Sequence, residues 1–305
     1  AILLALAIVF MLIQNFAGLL LASLFGLDPK AGLMVGSISL TGGVGTTLAW
    51  APIFTDRLGI ANALELGVAA NTVGLISACV VGGPIAAFLM RRHRIVGTYD
   101  VELDVGAPFD RPQTKLDYFS VLWAILALNI SLMLGFGIDK LIALTGLTVP
   151  TFVSCLAAGI LIRNLMPMAV GSTVRRLWPG VEDGLALVSD LALGLFLTMA
   201  LMGLQLWQLD GVFVFIACAL MLQIILTVVY IVAIVFRLMG RDYEAVVICA
   251  GFGGITLGST ATAIANMTAV TQQHGAAHRA FIIVPLVCGF FIDIVNALII
   301  SAFVG

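Results

Sequence analysis

Two short polar stretches interrupt an otherwise apolar chain, and their residue types suit the binding of ions. The segment Leu40–Trp50 reads LTGGVGTTLAW and holds three glycines and three threonines within residues 41–47. Near the end of the chain, the stretch FFIDIVNAL places Asp293 and Asn296 three residues apart. A glycine break at which a helix restarts exposes backbone N–H groups to an anion, whereas carboxylate and carbonyl oxygens suit Na⁺. These residues therefore predict a site for an anion together with a cation.

The composition indicates the surroundings in which these residues lie. Hydrophobic residues make up 62% of the 305 residues, charged residues only 10%, and the mean hydropathy is +1.18. A soluble domain is typically about 25% charged, so we predict an all-α, polytopic protein of the lipid bilayer. A membrane-spanning helix takes about 20 apolar residues. Seven apolar runs are long enough, or nearly so: approximately 1–25, 64–90, 118–138, 149–165, 184–206, 211–236 and 280–304.

The positive charges indicate the orientation of these spans. We let the seven spans alternate, and let two glycine-rich segments near 31–56 and 245–270 return to the side from which they enter. Eleven of the 14 Lys and Arg residues then fall on one side. Because basic residues concentrate on the cytoplasmic side of a membrane, the 91–117 loop is predicted to be cytoplasmic. The net charge of −2 says nothing about nucleic acid, but no basic patch indicates such a partner, and none is expected.

The two glycine-rich segments lie in a weak internal repeat. In each copy a glutamine, Gln14 or Gln223, is followed by a Gly-x-Asp turn and then by Gly-Thr-Thr or Gly-Ser-Thr. The charge distribution gives the copies opposite orientations, and inverted repeats with interrupted helices are typical of secondary transporters. We therefore assign 1–90 to the C-terminal part of a first repeat, 91–117 to a linker and 118–305 to a second repeat. Since the second copy has more spans, we expect the chain to be a fragment that lacks about three N-terminal spans.

The first glycine-rich segment is predicted to form a re-entrant hairpin. After the start signal Asp28-Pro29, a helix ending near Leu40 would extend about 16 Å at about 1.5 Å per residue, half-way through the bilayer. Glycines then let the backbone unwind. Thr46 or Thr47 is predicted to cap a second half-helix that runs back out.

The second segment is predicted to repeat this pattern. A half-helix from Ala245 to about Gly254 descends, Gly258 marks the break, and Ser259 or Thr260 caps the returning helix. Together the two tips predict a substrate site at Thr41, Gly42, Gly43, Gly45, Thr46, Thr47, Gly258, Ser259, Thr260 and Thr262. In an alternative interpretation, the glycines only allow helices to pack closely.

The remaining polar residues in apolar runs are predicted to bind Na⁺ or to join helices. A carboxylate inside a span is costly and usually functional, and Asp293 and Asn296 share a helix face. Asn71 and Thr72 occupy a similar place in the first copy. The predicted sodium-binding residues are Asn71, Thr72, Asn266, Asp293 and Asn296, and no other metal is expected. A structural role for Asp293 is the alternative. Four further amides are predicted only to hydrogen-bond between helices: Gln14, Asn15, Asn129 and Gln223.

With these residues the chain resembles the sodium:glutamate symporter family over essentially its whole length. The segments that carry the resemblance are Gly36–Thr46 (GSISLTGGVGT), Ala192–Leu206, Thr262–Met267 (TAIANM) and Phe291–Ala297 (FIDIVNA). The resemblance implies two inverted repeats of five spans, two re-entrant hairpins and a homodimer in the bacterial inner membrane. It also implies Na⁺-driven import of L-glutamate by an elevator-type movement, with Na⁺ as coupling ion and no cofactor.

Three positions depart from the pattern of that family. Val44 and Phe252 stand where relatives carry histidine, and Ala261 stands where they carry proline. The implied substrate is therefore L-glutamate or a closely related anionic amino acid or dicarboxylate.

Two other classes of protein place polar residues inside a membrane. An ion or solute channel also uses glycine-rich re-entrant loops, but it does not need an inverted repeat with a polar network on the adjoining spans. An intramembrane protease is the enzyme alternative, and the chain lacks the Gly-x-Ser-x-Gly and His-Glu-x-x-His motifs. We therefore expect a transporter and no enzyme, with a channel as the alternative.

Overall fold

The computed structural model describes residues 2–97, 118–144, 150–169, 171–202, 205–209 and 211–304, and these ranges contain helices and no β-strand. The helices in chain order are α1 (Ile2–Leu24), α2 (Ala31–Met34), α3 (Gly43–Asp56), α4 (Ala63–His93), α5 (Tyr118–Ala143), α6 (Thr151–Ala169), α7 (Gly171–Met202), α8 (Phe213–Tyr230), α9 (Phe236–Leu238), α10 (Tyr243–Leu257), α11 (Thr260–His274), α12 (His278–Leu286) and α13 (Asp293–Val304). Two π-helical segments, Ile231–Val235 and Val287–Ile292, connect α8 to α9 and α12 to α13. The chain divides into two compact units: unit 1 is Ala1–Ala107 with Gln205–Val304, and unit 2 is Pro108–Leu204.

Several of these helices are suited to a membrane. Among the described residues, α1, α4, α5 and the continuous helix Phe213–Leu238 are long and apolar enough to span it. A fifth span results if α12 and α13, which bend by 43° at their junction, count as one. These helices match five of the seven predicted spans. The predicted spans 149–165 and 184–206 fall on α6 and α7 and include residues outside the described ranges, as does the predicted 91–117 loop beyond residue 97.

The second glycine-rich segment, here called the second hairpin, consists of α10 and α11, which have 15 residues each. Residues of decreasing number in α10 contact residues of increasing number in α11, which shows that the two helices are antiparallel. A β-carbon added at Gly254 would lie 2.5 Å from the backbone nitrogen of Ala263, and the Ala250 carbonyl accepts a hydrogen bond from Asn266 at 3.3 Å. Such approach requires glycine at position 254.

Both helices of the second hairpin begin at a side-chain cap. Asp242 accepts a hydrogen bond from the backbone N–H of Ala245 at 2.7 Å, and Ser259 accepts one from the N–H of Thr262 at 3.4 Å. These caps satisfy N–H groups that the first helical turn leaves without a partner. The predicted break at Gly258 and the predicted cap at Ser259 are confirmed.

The first glycine-rich segment, here called the first hairpin, has a different backbone. Its descending arm has only the four helical residues of α2, and residues 35–41 form consecutive turns up to α3. The prediction of a helix to about Leu40 is therefore wrong. The peptide groups of Ser37 and Ser39 in this segment bond instead to amide side chains of other helices.

The start of α3 also differs from the prediction. The N-cap is Gly42, the helix begins at Gly43 with φ +74°, and Thr46 and Thr47 lie inside its first turns. The Thr47 hydroxyl donates back to the Gly43 carbonyl at 2.9 Å. A capping role for Thr46 or Thr47 is therefore wrong, because the left-handed conformation at Gly43 restarts the helix earlier.

Unit 1 contains two hydrophobic clusters with polar side chains between them. One cluster surrounds the second hairpin and includes Leu3 to Phe10 of α1, and the other surrounds the first hairpin and includes Ala22 of α1. Gln14 and Asn15 lie between these parts of α1, and both are fully buried. Helix α8 contacts the two clusters in the reverse order, with Gln223 between its contributions to them.

Unit 2 consists of α5, α6 and α7. Helices α5 and α6 pack so closely that a β-carbon added at Gly135 would lie 2.5 Å from the sulfur of Cys155. Asp139 of α5 accepts a hydrogen bond from Ser154 of α6 at 3.1 Å. This unit thus holds an acidic residue in a structural role.

Candidate functional site

Helix α4 contacts both hairpins, one after the other. A β-carbon added at Gly67 would clash with a side chain of the first hairpin, and one at Gly82 with a side chain of the second. Between them, a β-carbon at Gly74 would lie 2.5 Å from the Leu257 carbonyl oxygen and 2.6 Å from Leu40. The two hairpins therefore approach each other along α4 and meet near its Gly74.

The tips of the hairpins are also in direct proximity. A β-carbon at Gly43, the first residue of α3, would lie 3.7 Å from the carbonyl oxygen of Gly258, which precedes the cap of α11. The first turn of a helix presents unpaired N–H groups, and the helix dipole adds partial positive charge there. Two helix N-termini thus open at one place, and this arrangement suits an anion.

The first turns of α3 and α11 also have open space beside them. Gly45 and Ala261, each in the first turn of its helix, are exposed, and a β-carbon at Gly45 would have no atom within 4 Å. The surrounding tip residues are buried or half-buried. A small anion can therefore reach the N–H groups without displacing side chains.

The irregular turn of the first hairpin is held by amide side chains from other helices. Ser37 is contacted on both sides: its N–H donates to Asn15 of α1 at 3.0 Å, and its carbonyl accepts from Asn296 of α13 at 3.0 Å. The Ser39 carbonyl accepts from Asn71 of α4 at 2.8 Å. Irregular backbone inside a membrane requires such partners within the protein.

Gln14 of α1 lies between the two hairpins. Its Nε2 donates to the Thr256 carbonyl of the second hairpin at 2.8 Å, and its Oε1 accepts from the Thr41 hydroxyl of the first at 2.7 Å. The Gln14 carbonyl accepts a further hydrogen bond from Gln223 of α8 at 3.0 Å.

The predicted substrate residues lie at these tips, with different surroundings. Thr41, Thr46, Thr47 and Thr262 are buried, and Gly45 is exposed. The Thr262 hydroxyl contacts the hydroxyl of Ser259 at 3.1 Å. The structure brings the following predicted residues to the two facing tips: Thr41, Gly42, Gly43, Gly45, Thr46, Thr47, Gly258, Ser259, Thr260 and Thr262.

The predicted sodium-binding residues do not form one group. Asn71 and Asn296 contact the first hairpin, as described above. Asn266 instead donates from Nδ2 to the Ala78 carbonyl at 2.9 Å and to α10, so it fixes the second hairpin to α4. Thr72 is exposed and donates to a carbonyl of its own helix at 2.8 Å.

The last span offers oxygen atoms without protein partners. The Asn296 Oδ1 and the Ser37 hydroxyl are buried and have no hydrogen-bond partner among the described residues. Asp293 lies one turn before Asn296 and is half-buried, and its carboxylate has no hydrogen bond or ion pair in the described part of the chain. Carboxylate, amide and hydroxyl oxygens are hard donors that suit Na⁺.

The sequence predicted that four amides form hydrogen bonds between helices, but it did not predict that some of them bond to the hairpin tips. Gln14, Asn15 and Gln223 do bond between elements, but Gln14 and Asn15 bond to the hairpin tips. Asn129 donates to Ile125 of its own helix at 2.8 Å, so that prediction is wrong. A glutamine in each copy of the repeat was the available signal, but spacing alone does not say which backbone it contacts.

The departure at position 252 has a clear structural setting. Phe252 is fully buried in α10, and its ring lies 6.0 Å from the ring centroids of both Phe10 and Tyr230. The side chain is thus part of an aromatic cluster around the second hairpin. Val44, in the first turn of α3, is half-buried.

Comparisons with known proteins agree with the chemistry of this site. The family model for the sodium/glutamate symporter matches residues 1–276. A sodium/glutamate symporter of Escherichia coli (strain K12) is 37% identical over 295 residues, which cover 96% of this chain and 72% of that protein. One of Haemophilus influenzae is 37% identical over 288 residues, covering 93% of this chain and 70% of that protein. No solved structure matches the chain.

Proposed function

Because the chain belongs to the sodium/glutamate symporter family, we propose that it imports L-glutamate, or a closely related anionic amino acid or dicarboxylate, together with Na⁺. The family consists of transporters, so the protein is a multi-pass membrane transporter and not an enzyme. Na⁺ acts in such a symporter as a coupling ion and not as a cofactor.

The observation that carries the proposal is the convergence of two helix N-termini. The N-terminus of α3 at Gly43 and that of α11 behind Gly258 lie at one place, near the middle of α4. Lysine and arginine are absent from the described tip residues 35–47 and 252–262. Backbone N–H groups and helix dipoles therefore supply the positive potential for a carboxylate.

The coupling ion is assigned to the first hairpin and the last span. Asn296 Oδ1 and the Ser37 hydroxyl belong to residues that are already hydrogen-bonded to each other. Asp293 on the same helix face supplies a negative charge. A carboxylate inside a membrane-spanning segment without a cationic partner is unfavourable, so a bound Na⁺ stabilises Asp293 and orders the turn that contains Ser37.

The hairpins are proposed to be re-entrant and to enter the membrane from opposite sides. The support is their order along α4, where the first hairpin packs on the N-terminal half and the second on the C-terminal half. Unit 1 contains both hairpins, and in an elevator-type mechanism it would carry the bound solute and ion. The 91–117 loop is proposed to be cytoplasmic, and the protein to be a homodimer in the bacterial inner membrane.

Uptake into liposomes tests this function. The full chain, reconstituted into liposomes, should accumulate labelled L-glutamate above its external concentration when an inward Na⁺ gradient is applied. Uptake should saturate with glutamate, and dissipating the Na⁺ gradient should abolish accumulation. Competition by unlabelled aspartate and by related dicarboxylates ranks the substrates.

Two outcomes would contradict the proposal. If glutamate uptake under an inward Na⁺ gradient equals glutamate uptake under an inward choline gradient, Na⁺ coupling is excluded. Flux that rises linearly with glutamate and never exceeds the external concentration would instead favour a channel.

A further inference from the structure

Gln14 connects the two hairpin tips through a single side chain. Its amide nitrogen donates to Thr256, two residues before the break of the second hairpin, and its amide oxygen accepts from Thr41, at the end of the irregular turn of the first. Gln14 is fully buried, so water does not replace either bond. The second tip therefore accepts from the amide nitrogen of Gln14, and the first tip donates to its amide oxygen.

The backbone of α1 holds this side chain in place. On one side of Gln14, Gly18 packs so closely on Gly32 of the first hairpin that a β-carbon at either glycine would clash with the other. On the other side, Phe10 packs against Phe252 of the second hairpin. Since α1 is in contact with both hairpins, Gln14 cannot follow one tip without changing its bond to the other.

The proposed ion site is linked to this bridge by the first hairpin. The Ser37 carbonyl, which accepts from Asn296, also accepts from the N–H of Gly42 at 2.9 Å. Gly42 follows Thr41 directly, so the position of the Thr41 hydroxyl depends on the conformation of the turn from Ser37 to Gly42. An ion that orders this turn therefore also determines the position of the Thr41 hydroxyl that donates to Gln14.

We propose that Gln14 is a positioning residue that couples the two hairpin tips, so that binding of Na⁺ and binding of the anion strengthen each other. A buried amide that loses one partner is strongly disfavoured, so the state with both tips in place is preferred as a unit. This inference rests on the proposed symport, because it assigns the coupling of that same site to one side chain. By linkage, the coupling acts equally in both directions.

Na⁺ binding with and without substrate tests the coupling. The dissociation constant of Na⁺ is measured by calorimetry on the purified full chain in nanodiscs, with NaCl as titrant and L-glutamate either absent or saturating. In the wild type, glutamate should lower the Na⁺ constant about tenfold, within the usual range of allosteric coupling. In Gln14→Met, which keeps the volume, glutamate should lower it less than about twofold, while the constant without glutamate stays near that of the wild type.

The second partner supplies variants that do not alter α1. Thr41→Val removes the hydroxyl that donates to Gln14 and should reduce the coupling in the same way, whereas Thr41→Ser keeps the donor and should preserve it. Asn129→Leu is the matched control, because within the described residues this exposed amide bonds only to its own helix. It should show the coupling of the wild type.

The outcomes separate this inference from the proposed function. If the wild type shows coupling and both Gln14→Met and Thr41→Val retain it, the role of Gln14 is excluded and the symport stands. If Gln14→Met does not fold, Thr41→Val and Thr41→Ser decide the question. If glutamate leaves the Na⁺ constant of the wild type unchanged, the inference is excluded, and the liposome uptake experiment decides on the symport separately.

Discussion

The first and second hairpins arise from similar glycine-rich patterns and satisfy their backbones in different ways. The second is built from two helices of 15 residues each, and each helix is capped by the residue directly before it, Asp242 or Ser259. The first has a helix of four residues followed by turns, whose peptide groups bond to Asn15, Asn71 and Asn296 of three other helices. A repeated sequence pattern thus sets where the chain breaks, but not how the break is satisfied.

We propose that the two hairpins have different roles in binding the anion and the ion. The second hairpin caps both of its helices with side chains adjacent to them, and it presents the N-terminus of α11 to the proposed anion. The first depends on side chains around it, so a change in those side chains or an ion beside them alters its conformation. Buried oxygens without partners accordingly lie on the side of the first hairpin, at Ser37 and Asn296.

The sides of entry provide the largest expected difference between the hairpins. With the native cysteines replaced, Thr55→Cys at the end of α3 should react with an impermeant thiol reagent only from outside. Gln273→Cys at the end of α11 should react only from the cytoplasm. Both positions are exposed. Reaction of both from the same side would contradict the inverted arrangement.

A bulky residue at each tip should separate steric crowding from blocking of the site. A β-carbon at Gly258 would lie 3.1 Å from Ala78, Gly254 and Thr262, whereas Gly45 has open space. Gly258→Val should therefore reduce uptake to below about 1% through overpacking of the tip. Gly45→Val should leave the melting temperature unchanged and raise KM about tenfold, because its side chain fills the space proposed for the anion.

Uptake titrated with glutamate and thermal unfolding in detergent measure these two effects. Near-normal uptake by Gly258→Val would show that the second tip is not closely packed during transport. An unchanged KM for Gly45→Val would move the anion away from α3.

Removing the charge of the last span should affect Na⁺ more than substrate. Asp293→Asn keeps the shape and one oxygen, and should raise the Na⁺ concentration for half-maximal uptake at least about tenfold, equivalent to about 1.4 kcal/mol. Asp190→Asn, at an exposed carboxylate of α7, is the matched control and should leave the Na⁺ curve unchanged. Equal Na⁺ curves for Asp293→Asn and the wild type would assign Asp293 a structural role.

The smallest effect concerns the two helix starts. Ser259→Ala removes a cap and should destabilise the folded protein by about 1 kcal/mol. Thr47→Val removes only a hydroxyl that bonds back to its own helix, and should have less than half of that effect. Thermal unfolding of both variants, without ligands, makes the comparison. A larger loss for Thr47→Val would mean that α3 depends on its own threonine and not on the glycine start.

The accuracy of the sequence-based predictions follows the same division. The break at Gly258 and the cap at Ser259 were predictable, because a cap and the helix it starts are neighbours in sequence. The short α2 was not, because the partners of Ser37 lie 22 and 259 residues away in the chain. The contact between Gln14 and Thr256 was missed for the same reason, since the two residues are 242 positions apart.

Substrate protection at both tips tests the central claim, that the two hairpins form one Na⁺-dependent anion site. Single cysteines at Gly45 and Ala261, both exposed in the first turn of their helices, are treated with a small thiol reagent after replacement of the native cysteines. Thr55→Cys and Gln273→Cys at the far ends of α3 and α11 serve as controls. L-Glutamate with Na⁺ should slow the reaction at both tips and at neither control, and glutamate with choline should not. Protection at only one tip, or protection that does not depend on Na⁺, would contradict a shared site.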